Sequence, residues 1–512
     1  MNASASAQPL SGARLAIVAV ALAGGTFMQV LDSTIANVSL PTIAGNLGVS
    51  TDDSTWVITA FAAANGVTVP LTGWLMARFG VVRTFTLAVV LFTIASFLCG
   101  VAWSLPSLVV FRLLQGAVSG PMIPGSQALL IMIFPPQKRG TALGVWSITT
   151  LVGPVLGPIL GGYICDNYHW GLIFLINVPA GIACALISWG ALRTRETPTR
   201  KAPVDLVGLL LLAAWVGFLQ CVLDLGKNDD WFHSSRIVLL SLGAVVTFAA
   251  WMIWELTEER PIVDLSLFRR RSFTIGVVAT SLGYALFFAN NLLLPLWLQQ
   301  QLSYTATWAG LVAAPSGAMA VLLTPFVAPL ISRYDARLFA SLSFLAFAAS
   351  YFMRAGYTPD ADFLHFMAPL LMQGVALSMF FVSLLSITLD GVPPEQTPAA
   401  TGLSNFVRIT AGSFSASLIT TFWDRRENLH QTQLANISSP FSQAYQQALG
   451  ALSSSGFDRH QAAGVIGRQL VGQSYLLSSL ELFWICGWMS LSVIGLTWLA
   501  RRPTAVVAAA AD

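Results

Sequence analysis

"GVWSITTLVGPVLGPILGG", residues 144 to 162, reads first as membrane and then, through its glycines, as something more specific. It lies in an apolar stretch from about 140 to 164 that carries no charge between Arg139 and Asp166. A run of that length crosses a hydrocarbon core of about 30 Å as an α-helix. Gly153, Gly157 and Gly161 recur at intervals of four, so they stack on one helix face. Lacking Cβ atoms, they let another backbone come close, while Pro154 and Pro158 remove helix hydrogen bonds and permit a bend. Gly144 and Gly162 extend the small surface, and Gly310, Ala313, Ala314, Gly317 and Ala318 offer a matching one further along the chain. Two readings of this face stand: ordinary close packing, or a surface along which parts of the molecule change their relation.

The rest of the chain is made of similar material. Of its 512 residues 55% are hydrophobic and only 10% charged, against roughly one-quarter charged in a soluble domain. The mean hydropathy is +0.71. The composition describes an all-α protein embedded in a lipid bilayer. Fourteen spans are expected: 13–36, 54–77, 84–103, 106–132, 140–164, 170–192, 204–224, 236–256, 272–299, 307–331, 338–356, 363–391, 399–424 and 476–500. An even count puts both termini on one side. If that side is the cytoplasm, Arg14, Arg78, Arg83, Lys138, Arg139, Arg193, Arg195, Arg200, Lys201, Arg260, Arg269, Arg270, Arg271, Arg333, Arg337, Arg501 and Arg502 fall inside, as the positive-inside rule asks. The opening "MNASASAQPLSGAR" lacks the cationic start and small-residue cleavage site of a signal peptide, so the first span is expected to stay.

Several function classes drop out. The five cysteines are scattered without metal-like spacing. The net charge of +3 fits inner loops facing anionic lipid and does not point to nucleic acid. No nucleotide-binding loop, metal cluster or nucleophile motif is present, so neither an enzyme nor a cofactor is expected.

A weak internal repeat organises the spans. "NVSLP" (37–41) returns as "NLLLP" (291–295), "GWLMARFG" (from Gly73) resembles "APLISRYD" (from Ala328), and "LLQG" resembles "LLMQG", all at an offset near 255. The offset carries spans 1, 2 and 4 onto spans 9, 10 and 12, so two six-helix bundles are expected with spans 7 and 8 inserted between them. The expected division is 1–192, 193–271 for linker and inserted pair, and 272–512. The segments "RTRETPTRKAPVD" and "TEERPIVDLSLFRRRS" form the joints. By the same offset Asp32 maps onto Leu286 and Arg112 onto Leu370, so the shared architecture does not require either charge.

Those two charges are the sharpest chemical signal. The first span runs outward and the fourth inward, which puts Asp32 and Arg112 at similar depth. Gln29 and Asp32 share a face of span 1; Arg112, Gln115 and Gly116 share one of span 4. Charges within a membrane span are costly and are paired or functional. The pair is either a fixed bridge holding helices together or a site where a proton is taken up and released; arginine keeps its own proton, so the carrier is Asp32.

Residues 144 to 162 resemble, in full spacing, the antiporter motif of the major facilitator superfamily. "LVVFRLLQG" (108–116) resembles its fourth-helix motif, and "LDSTIANVSLP" (31–41) the first-helix signature of fourteen-helix drug/proton antiporters, with Ser39 where alanine is usual. The resemblance is to the EmrB/QacA family and covers nearly the whole chain, including "TWVITAF", "GPILGGYICDNYHWG", "PIVDLSLF" and "YTATWAGL". It implies the major facilitator fold and proton-driven export of apolar or amphipathic drugs from the bacterial inner membrane. It further implies a periplasmic adaptor (a membrane fusion protein) and an outer-membrane channel as partners. A nutrient or metabolite symporter on the same fold is the alternative, and the glycine motif argues against it. In "GWLMARFGVVR" Gly73, Arg78, Gly80 and Arg83 fit the superfamily's loop after helix 2, but Ala77 stands where aspartate is usual, so the charge latch of that loop does not carry over.

Weaker candidates complete the set. Glu481 and Arg408 are expected to line the second bundle's side of the cavity, Glu481 as a further proton-coupling group. In "YALFFANNLLLPLW", Tyr284, Phe287, Phe288, Asn290 and Asn291 suit a broad apolar drug pocket. Glu255 is read as a solvated carboxylate at a helix end. The connection 425–475 is long, and is either a docking surface or a polar cap.

Overall fold

A computed structural model describes residues 12–135, 138–199, 203–259, 261–302, 304–358, 363–439 and 441–501. Arg200, Lys201, Arg260, Arg502 and both chain ends, which bear on the orientation argued above, lie outside the described residues. Among the described residues there are helices and no strand.

The first half contains α1 (Gly12–Leu47), α2 (Trp56–Thr68), α3 (Thr72–Phe79), α4 (Val81–Gly100), α5 (Leu105–Ser119), α6 (Met122–Ile133), α7 (Arg139–Asn167) and α8 (Asn177–Leu192). The second span is bent by 57° between α2 and α3, whereas α5 and α6 together form the single fourth span, Leu105–Ile133. Then come α9 (Leu206–Leu225) and α10 (Ser235–Thr257), followed by α11 (Arg271–Gln301), α12 (Ala306–Arg333), α13 (Ala336–Arg354), α14 (Phe363–Thr388), α15 (Thr397–Ile437), α16 (Gln443–Ser454) and α17 (Arg459–Trp498). Among the described residues twelve helices are long and apolar enough to cross a membrane, or up to 13 if the bent pair counts as one span. The remaining expected span, 399–424, lies within α15 but falls outside that count.

Local chemistry sets the helix ends. Ser104 and Ser107 form a capping box at the start of α5; Asp205 caps α9 by accepting the Gly208 N–H at 2.8 Å. Gly80, at φ 93°, makes the sharp break between α3 and α4 that a side chain would resist. The free N–H groups of α4 are met from a distance, because the Glu196 carboxylate accepts from Val82 N (3.0 Å) and Arg83 N (2.9 Å). A carboxylate at a helix N-terminus also meets the positive end of the helix dipole.

In the first half α1 packs on α7 and α8, α2 on α5, and α4 on α8. In the second, α13 packs on α14 and α17, α12 on α14, and α11 on α15. The halves meet chiefly where α7 lies along α12, and α15 also reaches α6 and α3. Helices α9 and α10 pack mainly on each other, with α9 touching α2 and α15.

Two expectations need correction. The connection 425–475 is largely helical: α15 runs 41 residues and α17 runs 40, so both continue past the expected spans and α16 bridges between them. A polar sequence lacking proline up to Ser439 continues the α15 helix, and Asp458 with Gln461 caps the start of α17. Glu255 is buried, not solvated; it accepts from Trp251 Nε1 (3.1 Å) and Val263 N (3.3 Å) because the 261–268 segment folds over the end of α10.

Candidate functional site

Asp32, Arg112 and Gln115 come together in the interior of the first half, each fully buried. Arg112 Nη1 lies 2.5 Å from Asp32 Oδ2, and the same nitrogen donates to Gln115 Oε1 at 2.7 Å. Gln115 Nε2 donates to Asp32 Oδ1 at 3.0 Å and to Ser96 Oγ at 2.8 Å. Asn177, at the start of α8, donates to Asp32 Oδ1 at 2.9 Å. Arg112 Nε reaches the Val57 carbonyl at 3.0 Å, and its guanidinium lies 4.3 Å from the Phe61 ring centroid and 5.4 Å from that of Phe174. The carboxylate thus has donors from α5 and α8, and the guanidinium has a carboxylate, a carbonyl and two aromatic faces. A buried pair is sustained by this kind of satisfaction of its remaining groups. Gln29, one turn before Asp32, is buried with its Oε1 unpartnered.

The glycine face of α7 bears on this site directly. A Cβ built at Gly153 would meet Val30 Cγ1 at 2.6 Å and Leu31 N at 3.3 Å. One at Gly157 would run into Thr34 Oγ1 and meet Ile35 N at 3.1 Å, and one at Gly161 would meet Ile35 Cγ1 at 3.0 Å. The stack therefore receives α1 on either side of Asp32, and Thr34 Oγ1 donates to the Gly153 carbonyl at 3.2 Å. The matching surface of α12 does not meet this stack. Gly310 and Gly317 oppose Pro158, Ile159 and Val155, while Gly144 opposes Ala328 and Thr324. Helix α7 is consequently small on two faces, one toward α1 and the other toward α12; Gly162 is buried beside the stack.

The motif expected in the loop after span 2 begins on helix α3, where Gly73 sits against Ala399 of α15 and a Cβ would come within 2.8 Å. Arg78 lies over Trp74 (5.4 Å) and Phe79 (5.7 Å), and Arg83 is exposed.

The second-half candidates separate into groups. Arg408 is buried over the rings of Tyr284 (4.6 Å) and Phe381 (5.7 Å) and donates to Asn405 Oδ1 at 2.7 Å; Phe288 stacks on Tyr284 at 5.8 Å. Asn405 Nδ2 in turn donates across the halves to Gln127 Oε1 at 2.7 Å. Phe287 belongs instead to the core beside Phe347, and Asn290 Nδ2 bonds back to the Leu286 carbonyl at 2.8 Å; Asn291 is half-buried. Glu481 departs from its expected place lining a cavity. It is 35% exposed, paired with Arg426 at 2.6 and 2.7 Å and with His430 at 3.2 Å, because the continuation of α15 brings both partners alongside it.

Asn177, Ser96, Phe61, Phe174 and the Val57 carbonyl were missed by reading the sequence. Asn177 and Ser96 did carry a signal, as polar residues inside otherwise apolar spans; the rings and the carbonyl carried none.

Comparison with known proteins agrees with this architecture. The family model described as Major Facilitator Superfamily matches residues 22–416. Multidrug export protein EmrB of Escherichia coli (strain K12) is 48% identical over 97% of this chain and 97% of its own. Fatty acid resistance protein FarB of Neisseria gonorrhoeae is 47% identical over 97% of this chain and 98% of its own. Among solved structures the human organic anion transporter MFSD10 (TETRAN) superposes with a TM-score of 0.59 at 12% identity, covering 95% of this chain and 100% of its own. The chain is a multi-pass membrane protein of the major facilitator superfamily, a family of transporters, and belongs to its EmrB-type branch.

Proposed function

We propose that this protein is a multidrug efflux transporter of the bacterial inner membrane that exchanges protons for apolar or amphipathic toxic compounds. The observation that carries this reading is a fully buried carboxylate, Asp32, held by three side-chain donors in a chain 48% identical to a multidrug export protein. Relatives named for multidrug export and for fatty acid resistance support a substrate range of apolar and amphipathic molecules.

In this reading α1–α8 and α11–α17 are two units that rock against each other along α7 and α12, with α9 and α10 as an inserted pair. Asp32 takes a proton from outside, which weakens its hold on Arg112, Gln115 and Asn177 and biases the molecule toward the state that releases it inside. A membrane potential of 100 mV favours that movement by about 2.3 kcal/mol per charge. Tyr284, Phe288 and Arg408 form part of the substrate wall, with Gln29 opposite. Both termini lie in the cytoplasm, and the α15–α17 hairpin faces the periplasm, where it engages a membrane fusion protein that leads to an outer-membrane channel.

The test is substrate-evoked proton release from purified protein in vesicles. The parent protein should release protons when drug is added, and Asp32→Asn should bind drug without doing so. Proton release by Asp32→Asn equal to the parent's would remove Asp32 as the carrier.

A further inference from the structure

The second half contains its own buried arginine–glutamine centre, and among the described residues no carboxylate balances it. Gln373, the repeat counterpart of Gln115, accepts from Arg354 Nη2. Arg354 comes from the end of α13 instead of from the glutamine's own helix, where Leu370 stands in place of Arg112. The guanidinium is buried and lies 5.8 Å from the ring centroids of both Tyr351 and Phe483. Among the described residues its Nε has no hydrogen-bond partner, and neither do the buried hydroxyls of Tyr351 and Tyr357. Tyr357 follows one turn later, its N–H on the Arg354 carbonyl at 3.1 Å, and its ring packs against Phe366 and Phe483.

Among the described residues no carboxylate pairs with Arg354. Arginine does not shed its proton in a protein, and an uncompensated buried charge is strongly destabilising. The terminal carbonyls of α13 offer only about half a negative charge. Water would satisfy the phenols but leave the charge unchanged. Three unsatisfied groups near the cation can donate, one guanidinium N–H and two phenolic O–H. We infer that Arg354, Tyr351 and Tyr357 bind a small inorganic anion of the halide class, chloride under ordinary conditions. A cleft of about 450 Å³ at the ends of α13 and α14, with Met353, Gly356, Tyr357, Ala368 and Pro369 in its wall, reaches one member of the group, Tyr357. The bound anion does for the second half what Asp32 does for the first, but as a fixed counter-charge that does not titrate.

The test uses the full-length purified protein in detergent, with thermal unfolding followed in sodium chloride, sodium bromide and sodium gluconate at matched ionic strength. Chloride and bromide should raise Tm saturably by a few degrees over gluconate, an anion too large for the site. Tyr351→Phe keeps the ring and removes one donor, so it should weaken the apparent halide affinity about tenfold. Arg354→Met should abolish the response; if that variant fails to fold, Tyr351→Phe carries the test alone. Bromide crystals should show an anomalous peak within hydrogen-bonding distance of Arg354 Nε. Equal Tm in the three salts overturns the inference. A halide response unchanged in Tyr351→Phe overturns it too, as does stabilisation by anionic lipid with none by halide, which would assign the cation to a lipid phosphate.

Discussion

Replacing Asp32 and Arg112 together by leucine should harm the fold less than replacing either alone. Asp32→Leu leaves Arg112 with Gln115 Oε1 (2.7 Å), the Val57 carbonyl (3.0 Å) and the Phe61 ring, but with no anion. Arg112→Leu leaves the carboxylate with two amide donors. Removing one member of a buried pair costs about 3–5 kcal/mol, whereas exchanging both for apolar side chains is often neutral. The double variant still orphans Asn177 Nδ2, a loss of about 1–3 kcal/mol, while Gln115 keeps Ser96 at 2.8 Å. The double should therefore be less damaging than the sum of the singles by at least about 3 kcal/mol. The repeat offers an internal precedent, since buried Leu286 and Leu370 occupy the corresponding places in the second half. Equilibrium unfolding in mixed micelles measures the cycle, and vesicle assays should show substrate-evoked proton release lost in all three variants. Additive stabilities would refute the claim that the two charges form one buried unit.

Gly157→Ala should lower stability by about 1–3 kcal/mol through overpacking against Thr34 and reduce export. Gly217→Ala, where an added methyl meets nothing within 4 Å, should be neutral or gain up to about 1 kcal/mol; equal thermal shifts in both would contradict the packing assigned to α7. Glu196→Ala should cost about 0.5–2 kcal/mol by uncapping α4, read as a lower Tm with substrate binding retained. Glu481→Gln should leave vesicle transport and its pH profile unchanged, because the carboxylate lies in an exposed pair; a displaced pH profile would return Glu481 to the proton path. Shortening the α15–α17 hairpin should lower resistance in intact cells and spare exchange by the pump alone in vesicles, and loss in both would assign the hairpin to the transporter itself.

What the sequence disclosed follows from which features are periodic and which are tertiary. Span length and apolarity are local, so twelve spans and the bent second one were legible, as was the shared depth of Asp32 and Arg112. The partner of a glycine face is not local: Gly153, Gly157 and Gly161 announce a close approach without saying that α1 makes it. The same holds for Asn177, whose amide reaches Asp32 from a helix 145 residues away in the chain. Polarity misled in 425–475, because a helix that leaves the bilayer exchanges lipid for water without breaking its backbone hydrogen bonds. Glu481 was misread as a consequence, its partners Arg426 and His430 being visible only once that helix is continuous.

That continuity gives the molecule a lever. Helix α15 runs without interruption from Thr397, beside Gly73, to Ile437 near the exposed tip that carries Phe441, 95% accessible. Its 41 residues span roughly 60 Å at 1.5 Å each. A stiff rod converts rotation at one end into travel at the other, and at that length each degree of tilt moves the far end by about 1 Å. Whatever grips the tip is therefore mechanically coupled to the close contact of Ala399 with Gly73, and pressing on the tip would load that contact in return.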